Sequence, residues 1–132
     1  MAELSPEDPR ALEGAWAPVA VSVGGQRLEP AQLRVCYLLL EGDGYRIVDR
    51  SNQIVDSGHY TVNADTTPCA MDIVGEHGPN AGRTLLAIYR LEGDELTVCY
   101  DVEGGARPET LAARREGARL VITYERRAID LA

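Results

Sequence analysis

The side chains in this chain that can exchange a proton or act as a nucleophile near neutral pH are two histidines and three cysteines: His59, His77, Cys36, Cys69 and Cys99. His59 lies in Gly58-His59-Tyr60 inside a strand-like run and is the candidate general acid–base. The competing reading of His59 is a hydrogen-bonded surface residue. His77, in Gly75-Glu76-His77-Gly78, reads as a solvated loop histidine. Arg107 follows Gly104-Gly105 and precedes Pro108, so it sits in a loop beyond the Cys99-Tyr100 segment. There it could grip a substrate carboxylate with both arms of its guanidinium and take part in catalysis, or it could simply anchor the loop on backbone carbonyls. Tyr37, Tyr60, Tyr89, Tyr100 and Tyr124 each combine an apolar ring with a polar tip, the composition of a lining that orients a ligand through hydroxyl hydrogen bonds. The same residues serve equally well as core or edge.

Several chemistries are excluded by what is missing. All 13 basic residues are arginine. Schiff-base catalysis, a phosphate-loop lysine and a lysine base therefore have no residue to carry them. His59, His77, Cys69 and Asp72 show no metal-ligand spacing, and the cysteines form no Cys-x-x-Cys pair, so no metal and no cofactor is expected. Gly78-Pro79-Asn80-Ala81-Gly82 joins two strands rather than opening a helix, which makes it a turn and not a phosphate cradle. No Gly-x-Ser-x-Gly elbow surrounds any serine.

The whole chain sets the limits within which these residues act. Its 132 residues suffice for one domain with one core. A net charge of -8 disfavours nucleic acid and anionic membrane surfaces as partners. The acidic, proline-containing start lacks the basic patch and apolar run of a secretory signal. Residues 1–11 read as a flexible leader, 12–132 as the single domain, and the odd cysteine count suits reduced thiols in a cytoplasmic protein. No apolar run approaches the length of a membrane-spanning helix.

Positioning falls to short strands. Apolar, alternating runs occur at Trp16 to Val23, Arg34 to Glu41, Tyr45 to Arg50, Gln53 to Val62, Cys69 to Val74, Thr84 to Leu91, Glu95 to Asp101 and Leu120 to Arg127, separated by Gly, Asn and Asp turns. Thr110 to Glu116 is compatible with a helix, and Pro30 to Leu33 with a single helical turn. The pattern predicts an all-β fold, an antiparallel up-and-down barrel of about eight strands with one or two short helices. A two-residue turn at Gly93-Asp94 pairs Leu91 with Leu96, Tyr89 with Val98 and Ala87 with Tyr100, and the tyrosine-bearing face is taken as the interior. For the last strand, alternation alone leaves either face possible.

Leu12-Glu13-Gly14-Ala15-Trp16 looks like the Gly-x-Trp opening of lipocalin-type barrels, with Arg126-Arg127 placed where such barrels set an arginine against the indole. Gly24-Gly25-Gln26, Asp72-Ile73, the run from Gly78 to Tyr89, the run from Gly93 to Tyr100, and Arg107-Pro108 follow in order. Together they resemble the lipocalin-like domain family of unknown function that is expanded in planctomycetes, over roughly Leu12 to Arg127. The resemblance implies a calycin-like barrel and no particular activity. Members often carry an export signal and a Phe soon after the Arg-Pro proline; this chain has Glu109-Thr110-Leu111 there.

Three functions fit these readings. The first is a barrel that binds one small, largely apolar or amphipathic molecule through Tyr37, Tyr60, Tyr89, Tyr100 and Arg107. The second is a cofactor-independent cyclase or isomerase that uses the same cavity, with His59 and Arg107 as catalytic residues, since orientation and fixed dipoles leave little motif. The third is a filled barrel acting as a structural or protein-interaction module. An interior space of about 300 Å³ or more separates the first two from the third.

Overall fold

The computed structural model describes residues 9–29, 36–102, 106–111 and 119–127. A 3-10 turn, Pro9–Leu12, leads into nine strands: β1 (Gly14–Val23), β2 (Gln26–Leu28), β3 (Tyr37–Glu41), β4 (Gly44–Val48), β5 (Ile54–Asn63), β6 (Cys69–His77), β7 (Thr84–Glu92), β8 (Glu95–Asp101) and β9 (Arg119–Arg127). The pairings between these strands are all antiparallel, and from β3 to β9 each strand pairs with its sequence neighbour. β1 closes the cylinder: its first residues pair with β3 on one edge, Gly14 with Leu40, and the other edge pairs with β9 from Ala15–Arg127 to Val23–Leu120. The fold is thus a closed eight-stranded up-and-down barrel. β2, which the alternation pattern did not show, is a three-residue hairpin return on the edge of β1 that β3 leaves unpaired.

Closure removes the exposed edges that a sheet of this size would otherwise present. Pro18 lies mid-strand in β1, where a residue without an N–H weakens a ladder. The chain accommodates it with a bulge, a register shift between Pro18 and Ala20. The Gly93-Asp94 turn produces the expected register, Leu91 with Leu96, Tyr89 with Val98 and Ala87 with Tyr100. The tyrosine-bearing face does point inward: Ala87, Tyr89, Leu96 and Val98 belong to the main core. β9 turns Leu120, Ile122 and Tyr124 inward, which resolves the face that alternation left open.

The end of the expected leader is built into the fold. Ala11 and Leu12 are buried, Leu12 completely, because the 3-10 turn folds under the barrel. The proposed turn at Pro30 to Leu33 lies outside the described residues, as does the proposed helix Thr110 to Glu116 beyond Leu111; Thr110 and Leu111 themselves are not helical. Among the described residues no helix is long and apolar enough to cross a membrane.

Trp16 closes one end. Its ring is fully buried and its Nε1 donates to Leu12 O at 2.8 Å. The guanidinium of Arg126 lies 4.3 Å from the ring centroid and donates to Glu13 O and Ala11 O at 2.6 and 2.7 Å, with Asp94 3.2 Å from its Nε. One arginine therefore ties the 3-10 turn, the β1 indole and the β7–β8 turn into a floor.

Candidate functional site

The interior above this floor contains a cavity of about 60 Å³, bounded on the apolar side by Leu38, Leu40, Met71, Leu85 and Val98 among others. Its polar wall consists of Tyr45, Tyr60, Tyr100, Tyr124 and Asn80. The volume is well below the roughly 300–1,000 Å³ of pockets for drug-sized ligands, and corresponds to about four water-sized groups. The large inward side chains of the strands fill most of the cylinder, which narrows the range of occupants to small ones.

The cavity ends in a buried polar cluster. Asp56, 5% exposed, faces inward from β5 on the same parity as Gly58 and Tyr60. Its Oδ1 accepts from the Tyr45 hydroxyl at 3.0 Å and its Oδ2 from Asn80 Nδ2 at 2.8 Å. Asn80 belongs to the β6–β7 connection, which folds back over the barrel: Gly82 N donates to Gly75 O at 2.9 Å, and Gly75 N donates to Arg83 O at 3.0 Å. Two glycines allow that fold-back. A Cβ on Gly75 would meet Asn80 O at 2.0 Å, and one on Gly78, whose φ is +96°, would meet Val55 O at 2.4 Å. Gly58 likewise leaves space for the Tyr45 ring, whose Cε1 would stand 2.9 Å from an added Cβ. Arg83 spans the connection to the end of β8, donating to Val102 O at 2.8 Å.

Burial sets the charge state of the cavity tyrosines. It pushes Tyr60 up to about 12, with the charges of Glu13 and Asp43 adding to it. Tyr100 also rises to about 12, through burial and the charge of Asp56, against a lowering by Arg83. Tyr45 and Tyr124 are raised further, both by burial first; Asp56 adds to Tyr45, and Tyr100 to Tyr124. All four are neutral hydroxyls at physiological pH. An unfolded tyrosine ionises near pH 10, so above that pH the unfolded chain releases protons that the folded barrel retains. Stability is therefore expected to be undiminished by these groups below about pH 10 and to fall as the pH rises through about 12. Urea unfolding at about pH 9 and about pH 11.5 checks this, and equal midpoints would show that the hydroxyls ionise freely.

The expected site residues are distributed differently. Tyr60 and Tyr100 line the cavity. Tyr89 faces inward, is 2% exposed and packs in the core without lining the cavity. Tyr37 alternates with the inward Leu38 and packs with Ala15, Leu39 and Val48 in a second cluster, so it lies on the outer face of β3. His59 also points outward, one residue out of phase with Tyr60; its Nδ1 lies 2.6 Å from Glu76 Oε1 and its side chain is 45% exposed. Its neighbours in the ladder, Gly44 and Val74, place it on the wall, away from the cavity.

Arg107 does not cap a mouth. Its Nη2 lies 2.5 Å from Asp72 Oδ1, and its Nη1 donates to Ala87 O at 2.8 Å and Met71 O at 3.3 Å. Asp72 alternates with the inward Met71 and Ile73, so Arg107 is clamped on the outside of β6 and β7. The loop-anchor reading describes this geometry. The strap that it holds covers Cys99, which is fully buried, faces outward from β8 and has its Sγ 3.8 Å from Thr110 O. Burial raises the Cys99 thiol. Arg107→Ala is expected to cost about 1–2 kcal/mol, since the ion pair is partly exposed, and to make Cys99 react with a thiol reagent at least tenfold faster. Unchanged thiol kinetics would mean that the strap is held by Pro108 and its neighbours instead.

Sequence reasoning missed Tyr45, Asp56 and Asn80 as site residues. The Gly42-Asp43 turn pairs Leu40 with Tyr45, so the inward face of one strand transfers to the other. Asp56 shares parity with Tyr60, but an acid on an apolar face is ordinarily assigned to solvent. Asn80 sits in a loop, where no periodicity places a side chain. Among the described residues no three His, Cys, Asp or Glu converge as a metal-binding group. Comparison of the chain with protein-family models, with curated proteins and with solved structures finds no match.

Proposed function

We propose that the barrel binds one small, largely apolar molecule in its interior. The observation that carries this reading is the interior cavity itself: apolar over most of its wall, with neutral tyrosine hydroxyls and Asn80 on its polar side. This is the distribution that holds a ligand by burial and orients it through few polar contacts. The lipocalin-like resemblance of the Gly14-Ala15-Trp16 opening and the arginine-capped floor supports the same reading by analogy of fold. Binding is favoured over cyclase or isomerase chemistry because the proposed catalytic residues, His59 and Arg107, face away from the cavity. The buried carboxylate of Asp56 has both oxygens engaged by Tyr45 and Asn80. The cavity's modest volume favours the other alternative, a filled structural barrel.

Isobutene, with four carbon atoms about the size the cavity admits, tests this directly in a titration followed by methyl NMR of Met71 and Leu85. Saturable shifts are expected in the native protein, with at least a tenfold loss of affinity in Val98→Phe, which fills the space. If the native protein shows no saturable shift with this hydrocarbon or with a ketone of the same size, the binding reading fails.

A further inference from the structure

The cavity's four tyrosine hydroxyls are not equivalent. The Tyr45 hydroxyl donates to Asp56 Oδ1 at 3.0 Å, and Tyr60 donates to Gly42 O at 3.2 Å. The hydroxyls of Tyr100 and Tyr124 have no hydrogen-bond partner among the described residues. Tyr124 is only 6% exposed. No fully buried side-chain nitrogen or oxygen among the described residues lacks a partner, so the Tyr124 hydroxyl borders open space, and the space this side chain lines is the cavity. Tyr100 and Tyr124 line the same small, largely apolar space.

Building on the binding reading above, we infer that the ligand is a neutral molecule with a carbonyl oxygen, held by the hydroxyls of Tyr100 and Tyr124. A carbonyl oxygen has two lone pairs and can accept from both phenols, and neither phenol has another acceptor among the described residues. Both hydroxyls are held in the protonated, donating form by burial. An anionic ligand fits less well. Among the described residues no cationic side chain lines the cavity, and the Asp56 carboxylate is engaged by Tyr45 and Asn80. Arg83, whose charge acts on Tyr100, has its guanidinium turned to Val102 O and Asn80 Oδ1. The cavity's size limits the carbonyl compound to about four non-hydrogen atoms, or to the carbonyl-bearing end of a longer one.

Acetone and its hydrocarbon isostere isobutene are the probes, titrated into the native protein and into Tyr100→Phe, Tyr124→Phe and the double variant. Each single change is expected to weaken acetone about five- to tenfold and the double change more, while isobutene stays within about twofold throughout. In the native protein the carbonyl stretch of bound acetone is expected at lower frequency than in a hydrocarbon solvent. This reading does not depend on any variant folding. Equal losses for both probes, no loss for the ketone, or an unshifted stretch would overturn the carbonyl assignment and leave cavity binding intact. If neither probe binds the native protein, the binding reading itself fails, and the carbonyl inference with it.

Discussion

Trp16→Ala is expected to destabilise the barrel by about 3–5 kcal/mol, measured by urea unfolding followed by circular dichroism because the substitution removes the chain's single tryptophan. The indole is fully buried, and removing it opens a large void at the floor. Three further losses accompany the void. Leu12 O loses its donor at 2.8 Å, the Arg126 guanidinium loses the ring 4.3 Å away, and the 3-10 turn that carries Ala11 and Leu12 loses its main packing surface. The cation–π contact by itself contributes about 0.5–2 kcal/mol. Arg126→Ala is expected to reproduce a smaller part of the effect, because the indole would still fill its space. A loss below about 1 kcal/mol for Trp16→Ala would mean that the floor collapses around the void or is held from elsewhere.

Asp56→Ala is the second large effect, expected at about 3–4 kcal/mol. A buried carboxylate is not stabilising in itself, since removing its charge from water offsets much of what its partners return. Taking it away from partners that stay is different. The Tyr45 hydroxyl and the Asn80 amide would each lose a charge-assisted acceptor inside the barrel, at about 1–3 kcal/mol for each stranded donor, and the two losses are not strictly additive because they share one group. Asp56→Asn retains the shape and one acceptor oxygen but sets an amide nitrogen against Asn80, so about half the loss is expected. Hydrogen exchange provides a second readout. The amides of Ala81 and Gly82, bonded to Gly78 O and Gly75 O, are expected to exchange faster once Asn80 is released. An Asp56→Ala protein within about 0.5 kcal/mol of the native one would show that water already satisfies the cluster.

These two residues mark how far the sequence could be read. Trp16 was legible because the Gly14-Ala15-Trp16 opening precedes a strand, and an indole at that position has a core to fill. Which of the two terminal arginines covers it depends on strand parity, and β9 assigns Arg126. Asp56 was readable as a residue on the Tyr60 face but not as a buried one, since its acceptability depends on a loop amide 24 residues away. His59 shows the complementary error. It has the right chemistry, but its position next to Tyr60 puts it on the opposite face of the same strand.

From the residues alone came the all-β class, the eight strands of the barrel, the Gly93-Asp94 register and the inward face of β7 and β8. Each of these follows from interactions between residues close in sequence: turn geometry limits the pairing, and alternation separates the faces. The tertiary structure alone decided the closure of β1 against both β3 and β9, the clamping of Arg107 on the outer wall and the meeting of Tyr45, Asp56 and Asn80. It also decided the cavity's volume of about 60 Å³. Those features depend on how far apart strands sit once the cylinder has closed and on which loop folds back over it. Side-chain volumes summed around a ring set that spacing, and no local pattern encodes the sum.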